Sequence, residues 1–390
     1  MSRGQGRRAP GDRFLLLAAR GLRAFGFGFS AVLLGLHLER AGLSPTQVGL
    51  TLGVGLAAAS LTGLGSAALA SRVGRRRTLA VVGVLMLVTG LDLAVVRAPT
   101  LLIVSGATGM LGAAGVDYGP FASIEQAVLT ETAAAKDRNR AFGRYSLTGG
   151  LFNAAGGASA AIFASTRTYF LFYAAIGLLT ALLPLLMSSR VEGEPAPRAF
   201  GSFRPLAGLA ALFALDSLGG GFVANAVVAY WLHVRFGAAP DVLAPVFAGV
   251  AILQSLSYEV SGRLADRFGL INTMVFTHLP SNLLLLAVPL SPSLGWAVAI
   301  LLARFALSQM DVPARQAYIV SIVPPGERAG AVAMTGAVRG VAMSFGPALA
   351  GVAIGAAAFG VPFFAAGGLK ALYDLALFAG YRNRRAEHET

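Results

Sequence analysis

Ionisable residues inside long apolar stretches are the side chains of this chain best placed to carry chemistry. Asp216, Arg304 and Arg339 lie well inside such stretches, roughly 15 Å deep if the stretches are membrane-spanning helices. A charged side chain at that depth is costly unless it is paired or hydrated, so it marks a solute or ion pathway. We therefore predict a substrate or proton role for these residues. A structural ion pair that fixes two helices is the alternative.

A second group of charges lies near the ends of the first and fourth apolar stretches. Arg20 and Arg23 are spaced i,i+3, which places them on one face of a helix. Asp117 and Glu125 follow in and after the fourth stretch. The group predicts either a gating cluster of salt bridges, with Arg23 on the substrate or proton pathway, or charges that only neutralise one another. The residue types support both interpretations equally.

Other polar residues in apolar stretches allow two interpretations each. Asn153 and Asn225 carry amides that can line a solute cavity or join two helices within the membrane. Lys370 and Asp374 are four residues apart in the last stretch, so they are expected to neutralise each other on one helix.

The composition indicates which elements must position these residues. The chain of 390 residues is 56% hydrophobic and 13% charged, whereas soluble domains are about 25% charged. Its apolar runs are long enough to cross a hydrocarbon core of roughly 30 Å. The predicted fold class is therefore an all-α membrane protein with twelve transmembrane helices. The predicted spans are residues 14–38, 45–70, 78–97, 100–122, 142–164, 169–188, 205–232, 242–263, 271–290, 294–313, 329–354 and 359–380.

The net charge of +13 is explained by its distribution along the chain. Most basic residues, Arg315 among them, fall in the termini, the central linker and alternate loops, and the opposite loops hold only Arg40, Arg97, Arg167 and Arg235. Basic loops stay on the cytoplasmic side of a membrane. We therefore expect a multi-pass protein of the inner (plasma) membrane with both termini in the cytoplasm. The charge indicates contact with the lipid bilayer, and no nucleic-acid partner is expected.

Several classes of chemistry lack the residues that they need. The chain has no cysteine, and its four histidines lie on separate predicted elements, so no metal site is expected. The sequence contains neither a Gly-x4-Gly-Lys-Ser/Thr phosphate loop nor a nucleophile elbow. We therefore expect a protein that is not an enzyme, needs no cofactor and does not hydrolyse ATP.

Two short basic turns, half a chain apart, indicate an internal duplication. Residues 67–77 and 261–269 align so that Leu69 falls on Leu264 and Gly74 on Gly269. Between the two repeats, residues 189–204 are polar and rich in proline, which is typical of a linker. The predicted domains are a six-helix bundle at 1–188, a cytoplasmic linker at 189–204 and a second six-helix bundle at 205–390.

On these residues the chain resembles the major facilitator superfamily (MFS) over essentially its whole length. The family motif is Gly-x-Leu-Ala-Asp-Arg-x-Gly-Arg-Arg/Lys. The second turn matches it at Gly262, Leu264, Ala265, Asp266, Arg267 and Gly269. The first turn keeps Leu69, Ala70, Arg72, Gly74, Arg75 and Arg76, with Ser71 at the aspartate position. The resemblance implies two six-helix bundles that rock about a site at the middle of the membrane.

The resemblance also implies that the two turns act as a latch that holds the cytoplasmic face shut. The aspartate of such a motif faces the amino end of a neighbouring helix, where the helix dipole favours negative charge. A basic loop that only fixes topology is the alternative. The gating residues implied here are Arg72, Arg76, Gly262, Asp266 and Arg267, with Asp311 as the second-half counterpart of Asp117.

The resemblance finally implies where a solute binds and how it moves. In the family, spans one, four, seven and ten line the central cavity, so Asp216 and Arg304 would face each other. We expect a monomeric secondary transporter for a small organic solute, with proton-coupled efflux (antiport) of amphipathic compounds as the first choice. Asp216, Asp117 or Glu125 would change protonation during the cycle. The alternatives are uptake or exchange of an organic anion or metabolite, favoured by several buried arginines, and a transporter-like membrane sensor.

Overall fold

The computed structural model of this chain describes residues 10–114, 119–132, 138–192, 206–323 and 328–382. Within these ranges the regular secondary structure is helical, without a β-strand. The α-helices are α1 (Pro10–Arg40), α2 (Pro45–Val73), α3 (Arg75–Val95), α4 (Pro99–Ser105), α5 (Pro120–Thr132), α6 (Arg138–Ser159), α7 (Thr166–Leu182), α8 (Ala207–Phe222), α9 (Asn225–Phe236), α10 (Pro240–Phe268), α11 (Leu270–Ala287), α12 (Leu294–Leu307), α13 (Asp311–Ser321), α14 (Arg328–Gly355) and α15 (Val361–Tyr381).

In the described part of the chain these helices form twelve passes across a bilayer, which confirms the predicted fold class. Three passes are broken: the fourth is α4 with α5, the seventh is α8 with α9, and the tenth is α12 with α13. Ten passes contain a stretch that is long and apolar enough to cross a membrane. The other two are the interrupted fourth pass and α6, which carries three arginines near its beginning.

The breaks correct three predicted spans, 100–122, 205–232 and 294–313, which are not continuous helices. In the fourth pass Gly109 and Gly112 have φ angles of 73° and 68°, in a left-handed region that glycine adopts without strain. The seventh pass breaks after three consecutive glycines, and the tenth breaks just before Asp311. Irregular backbone at membrane depth is tolerated only inside the protein or along a cavity, so the breaks mark the interior.

The two basic turns have the same backbone geometry, as the predicted duplication requires. Gly74 links α2 to α3 with φ at 94°, and Gly269 links α10 to α11 with φ at 81°. Each glycine N–H bonds the carbonyl four residues earlier, at 3.1 and 2.9 Å. Each glycine carbonyl accepts the hydroxyl of a threonine four residues later, Thr78 or Thr273, at 2.8 Å in both turns.

Helices from the two halves of the chain meet chiefly where α2 packs on α14 and α6 packs on α10, and α1 also contacts α9 and α10. At the first interface, a Cβ at Gly53 would lie 2.7 Å from the carbonyl oxygen of Ser344. Small residues therefore let the two backbones approach closely, as is common between membrane helices. The predicted domain boundaries (1–188, 189–204 and 205–390) stay a prediction, because residues 193–205 lie outside the described ranges.

The two halves are in close contact at the end of the molecule that carries the α1–α2 and α9–α10 loops. There the Ala226 N–H at the beginning of α9 donates to the carbonyl of Ala113, in the break of the fourth pass, at 3.1 Å. His233 of α9 lies 3.2 Å from the carboxylate of Glu39 in α1. This end is closed by contacts between backbone as well as side chains.

We call the opposite end of the molecule the basic face because it carries both basic turns. The close contacts between α2 and α14 run from Gly49 with Gly351 to Ser60 with Gly340. Closer to the basic face, a Cβ at Gly65 of α2 or at Gly336 of α14 would meet nothing within 4 Å among the described residues. The described α2–α14 contacts therefore end before the basic face.

Replacing Gly177 by alanine is expected to lower thermal stability. A Cβ at Gly177 of α7 would press on backbone atoms of Leu87 in α3, and overpacking of this kind costs about 1–3 kcal/mol. The matched control is Gly368→Ala in α15, where a Cβ would meet nothing within 4 Å in the described structure. Thermal unfolding of both purified variants in detergent measures the difference. Equal unfolding midpoints would contradict the close packing of α3 on α7.

Candidate functional site

A buried group of charged side chains lies inside the carboxy-terminal half of the chain. Its centre is Asp216 of α8, which is 3% exposed. One carboxylate oxygen accepts a hydrogen bond from Lys370 Nζ of α15 at 2.6 Å, and the other accepts one from Arg315 of α13 at 3.4 Å. Arg315 also bonds Asp311, one turn earlier on α13, at 2.6 Å. Each of these buried charges is therefore paired, as the high cost of an isolated charge requires.

A histidine joins Asp216 to a third carboxylate. His278 Nδ1 of α11 lies 2.9 Å from Asp374 Oδ1 of α15, and His278 Nε2 lies 3.7 Å from Asp216 Oδ1. Asn282 Nδ2 donates to Asp374 Oδ2 at 2.8 Å and lies 3.2 Å from His278 Nδ1. We refer to the connected set as the charge cluster: Asp216, His278, Asn282, Asp311, Arg315, Lys370 and Asp374.

Small residues on α8 make room for Lys370 to reach the cluster. A Cβ at Gly219 would lie 3.0 Å from Lys370 Cγ and 3.1 Å from the carbonyl oxygen of Ala366. A Cβ at Gly220 would lie 3.7 Å from Lys370 Nζ. The lysine side chain can therefore run along α8 to Asp216. Two of the glycines that precede the break in the seventh pass thus also admit the cation that neutralises the aspartate.

Among the described residues, Asp216 is bonded by Lys370 and Arg315 and not by Arg304, so the alternative of a structural ion pair between Asp216 and Arg304 is not observed. Arg304 is 6% exposed at the end of α12, and its guanidinium lies 4.4 Å from the ring centre of Phe305. It interacts electrostatically with Asp216, but its Nε has no hydrogen-bond partner in the described part of the chain. The pathway role of Arg304 stays a prediction.

Arg339, the third deep charge predicted from the sequence, lies beside the cluster. Its Nε donates to Ser217 Oγ of α8 at 3.0 Å, and it interacts electrostatically with Asp216. Arg339 therefore connects α14, which contacts the amino-terminal half, to the helix that carries Asp216. Its pathway role also stays a prediction.

A smaller group of charges lies in the amino-terminal half. Arg23 of α1 pairs with Glu125 of α5 at 2.5 Å, with side chains 0% and 1% exposed. Tyr145 of α6 donates its hydroxyl to the same carboxylate oxygen at 2.8 Å. The Arg23 guanidinium lies 4.0 Å from the ring centre of Phe121, and that of Arg20 lies 4.7 Å from the ring centre of Tyr145. The structure brings Arg20, Arg23 and Glu125 together, and their gating role stays a prediction.

The remaining polar candidates lie at separate places. Asn153 Nδ2 of α6 donates to the Ala24 carbonyl of α1 at 3.4 Å, a contact that joins two helices. Asn225 is the first residue of α9, directly after the break in the seventh pass. Asp117 lies outside the described residues.

An apolar cleft adjoins the Arg23–Glu125 pair. It is a narrow cleft of about 30 Å³ between α1, α2 and the break in the fourth pass, on the order of the space that one or a few water molecules occupy. Phe121 lines the cleft and also contacts the Arg23 guanidinium, so apolar surface lies next to a buried charge. The larger lining side chains are Phe27, Leu56, Met110, Leu111 and Phe121.

The contacts described for the first basic turn are with the residues that follow α7, up to Glu192. Arg76 donates to the carbonyls of Pro184 and Leu185, just after α7, at 3.3 and 2.5 Å. The Glu192 carboxylate accepts the backbone N–H groups of Arg75 and Arg76 at the beginning of α3. A carboxylate thus does face the amino end of a helix here, but it comes from Glu192, while Arg72 is exposed at the end of α2.

At the second basic turn, the described residues do not test the predicted latch, which stays a prediction. Arg267 is exposed, and its guanidinium lies 5.3 Å from the ring centre of Phe268. Gly262 and Asp266 belong to α10, and the surroundings of their side-chain positions lie outside what the structure describes. Asp311, the other expected gating residue, is a buried member of the charge cluster.

Sequence reasoning missed the roles of three charged side chains in the charge cluster, Lys370, Asp374 and Arg315, and that of His278. Lys370 and Asp374 were expected to neutralise each other, yet Lys370 bonds Asp216, and Asp374 bonds His278 and Asn282. Arg315 is buried in the cluster, which corrects its assignment to a cytoplasmic loop. The i,i+4 spacing of Asp311 and Arg315 was the available signal. Within the described ranges no group of three or more acidic or histidine side chains is arranged to hold a metal ion.

Comparison with known proteins provides an independent line of information. The family model described as Major Facilitator Superfamily matches residues 16–215 and 209–390. The "Uncharacterized membrane protein YJR124C" of Saccharomyces cerevisiae is 24% identical, with 88% of each chain covered.

Several solved structures share the fold of this chain. The nucleoside transporter NupG is similar with a TM-score of 0.74 and 15% identity, over 95% of this chain and 99% of that one. The D-xylose-proton symporter is similar with a TM-score of 0.69 and 16% identity, over 94% and 97%. A bacterial homolog of the human lysosomal transporter Spinster, in an inward-facing and unoccupied conformation, has a TM-score of 0.69 and 18% identity, over 95% and 98%.

Neutralising one partner of the Arg23–Glu125 pair is expected to destabilise the protein more than neutralising both. Arg23→Met leaves the Glu125 carboxylate buried without its cation, and breaking a buried pair in this way costs about 3–5 kcal/mol. The double variant Arg23→Met/Glu125→Gln leaves neither charge. Thermal unfolding of the wild type, both single variants and the double variant measures the coupling. Additive losses in the double variant would show that the two charges are independent.

Proposed function

Because this chain belongs to the Major Facilitator Superfamily, a family of membrane transporters, we propose that it couples the movement of a small organic solute to that of protons. The observation that carries the proposal is the charge cluster, in which three carboxylates and a histidine are buried together. Ionisable groups inside a membrane mark proton and solute pathways. The proposed pathway residues are Asp216, Arg304, Arg339, Arg23, Asn153 and Asn225.

Alternating access is the proposed mechanism of transport. The halves are in contact through α1 with α9 and through α2 with α14, and the described α2–α14 contacts end before the basic face, which supports a transporter open to that side. Rocking of one half against the other would close the basic face and open the other end. Arg20, Glu125 and the residues of the two basic turns are the proposed gating groups.

Efflux of amphipathic compounds in exchange for protons is the first candidate for the reaction. The chemistry of the apolar cleft beside Arg23 and Glu125 supports it, because apolar surface lies there next to a buried charge. The cleft would widen to admit an organic compound as the halves move. Among the described residues, the side chains that line the cleft are apolar and supply none of the hydrogen-bonding groups that sugars need.

Uptake or exchange of an organic anion is a second candidate, and Arg304 favours it. Arg304 is buried, and its Nε has no hydrogen-bond partner in the described structure. A carboxylate or phosphate of a solute would satisfy a guanidinium of this kind with two parallel hydrogen bonds. The D-xylose-proton symporter, a structure of the same fold, is by its name a symporter, which supports uptake as a direction.

We also propose that the basic face lies in the cytoplasm and that the membrane is the inner (plasma) membrane. The two basic turns carry Arg72, Arg75, Arg76, Arg77, Arg263 and Arg267 on this face. Clusters of arginine of this kind stay on the cytoplasmic side during insertion. The cavity would then be open to the cytoplasm.

Single-cysteine labelling tests this orientation without background, because the chain has no cysteine of its own. Arg77 on the basic face and Arg97 in the α3–α4 loop are both exposed. A membrane-impermeant maleimide is expected to label Arg97→Cys in intact cells and to label Arg77→Cys only after the membrane is opened. The reverse pattern would overturn the orientation.

Asp216→Asn is expected to abolish transport driven by a pH gradient in proteoliposomes, because the variant removes the carboxylate at the centre of the charge cluster. The solute is chosen from a panel of amphipathic cations and organic anions by thermal stabilisation of the purified protein. The matched control is Asp241→Asn, an exposed carboxylate at the beginning of α10, which is expected to transport like the wild type. Size-exclusion chromatography checks that both variants are folded.

The same panel separates the two candidate reactions. If an organic anion stabilises the wild type but not Arg304→Gln, the second candidate is correct. Stabilisation by amphipathic cations that is unaffected by Arg304→Gln favours the first. Unchanged gradient-driven transport by Asp216→Asn would exclude a role for the cluster in proton coupling.

A further inference from the structure

The three buried carboxylates of the charge cluster are not neutralised in the same way. Lys370 and Arg315 bond Asp216 and Asp311, and Arg304 and Arg339 also interact electrostatically with Asp216. Among the described residues, Asp374 is instead hydrogen-bonded by His278 and Asn282. An unneutralised charge is costly in an interior of low dielectric constant, and a single proton beside Asp374 would neutralise it.

We propose that His278 binds this proton and is the proton-carrying residue of the carboxy-terminal half, an inference that rests on the proton coupling in the proposed function. Histidine is the side chain whose charge ordinarily changes near neutral pH. Both of its ring nitrogens face carboxylates here: Nδ1 lies 2.9 Å from Asp374, and Nε2 lies 3.7 Å from Asp216. The imidazolium form, which has an N–H at each nitrogen, therefore directs both donors at negative charge.

Asn282 fixes the carboxylate that faces Nδ1. Its Nδ2 donates to Asp374 at 2.8 Å and lies 3.2 Å from His278 Nδ1. The neutral ring keeps the N–H of Nδ1, which donates to Asp374. The proton that leaves for water comes from Nε2, which lies 3.7 Å from Asp216. Only one N–H bond therefore forms or breaks between the two states.

Charged groups on the helices that pack against α11 set the charge around His278. From α15 come Asp374, Lys370 and the ring of Tyr373, whose centre lies 6.0 Å from that of His278. Helix α13 contributes Arg315, which bonds both Asp216 and Asp311. Helix α12 contributes Arg304, which interacts electrostatically with the same two carboxylates. On α10 the described charged side chains, Asp241, Arg263 and Arg267, lie toward the two ends of the helix.

The helix that carries Asp216 connects this proton site to the interface between the halves. A Cβ at Gly221 of α8 would lie 3.0 Å from Gly346 Cα of α14, so the two helices are in backbone contact. Arg339 of α14 bonds Ser217 of α8. α14 in turn packs on α2 of the amino-terminal half. A change of charge at His278 therefore acts on the carboxylate of the helix that borders the moving interface.

Nuclear magnetic resonance of the full-length protein, labelled with ¹⁵N in its four histidines, tests the proposal without a solute. The ring nitrogens of His278, assigned from the spectrum of His278→Gln, are expected to change between the imidazolium and neutral forms within about pH 5 to 9. A ring that stays in one form across this range would overturn the proposal. If His278→Gln alters the fold, the single variants His37→Gln, His233→Gln and His388→Gln assign the His278 signals by elimination.

Thermal unfolding across the same pH range gives a second readout. The unfolding midpoint of the wild type is expected to change by about 2 °C or more across the His278 transition, because the ring faces two carboxylates in the folded protein and leaves them on unfolding. His278→Gln is expected to lack this step. The matched control is His37→Gln, because His37 bonds the hydroxyl of Thr166 and the carbonyl of Leu93 rather than a carboxylate. That variant is expected to keep the step.

The outcomes separate this inference from the proposed function. A step that persists in His278→Gln would place the proton on another residue and leave proton-coupled transport intact. If His278 titrates but transport does not depend on the pH gradient, the proposed proton coupling and the carrier role of His278 are both wrong. A titrating His278, with the step lost in His278→Gln and kept in His37→Gln, supports both the site and its role.

Discussion

The carboxylate of Asp216, buried between the ammonium of Lys370 and the guanidinium of Arg315, is the interaction on which the carboxy-terminal half depends. A charge taken from water into the protein interior must be matched at short range. Three helices, α8, α13 and α15, are therefore held in one relative geometry. Gly219 and Gly220 are needed because a bulkier α8 would block the lysine. The restart of the tenth pass at Asp311 is needed because it aims Arg315 at the carboxylate.

The two halves use one architecture to bury charge in different ways. The amino-terminal half contains one tight pair, Arg23 with Glu125, supported by the Tyr145 hydroxyl and an aromatic ring, and the apolar cleft lies beside it. The carboxy-terminal half contains seven connected polar side chains and a nearby arginine. A duplicated fold thus places most of the titratable groups on one side of the central space and most of the apolar cleft on the other.

Hydropathy predicted the number of passes and the depth of Asp216, because a membrane requires long apolar helices and each residue advances a helix by a fixed rise. The duplication was visible because the turn at Gly74 and Gly269 needs glycine at one position. The partners of Asp216 were not predictable in the same way. They come from helices 99 and 154 residues away, and the rotation of each helix about its axis decides which side chains meet. The apparent Lys370–Asp374 pair shows how a local spacing can suggest the wrong partner.

The hydrogen bond between the Ala226 N–H and the Ala113 carbonyl has a consequence for how this protein tolerates mutation. It joins two breaks, one in each half, through main-chain atoms alone. Replacing either alanine by another residue changes a side chain but leaves both the donor and the acceptor, and among the standard amino acids only proline at position 226 deletes the donor. The hydrogen bond therefore does not depend on the identity of either side chain, and what restricts both positions to small residues is the packing around them, since Ala113 is 3% exposed and Ala226 is 0% exposed.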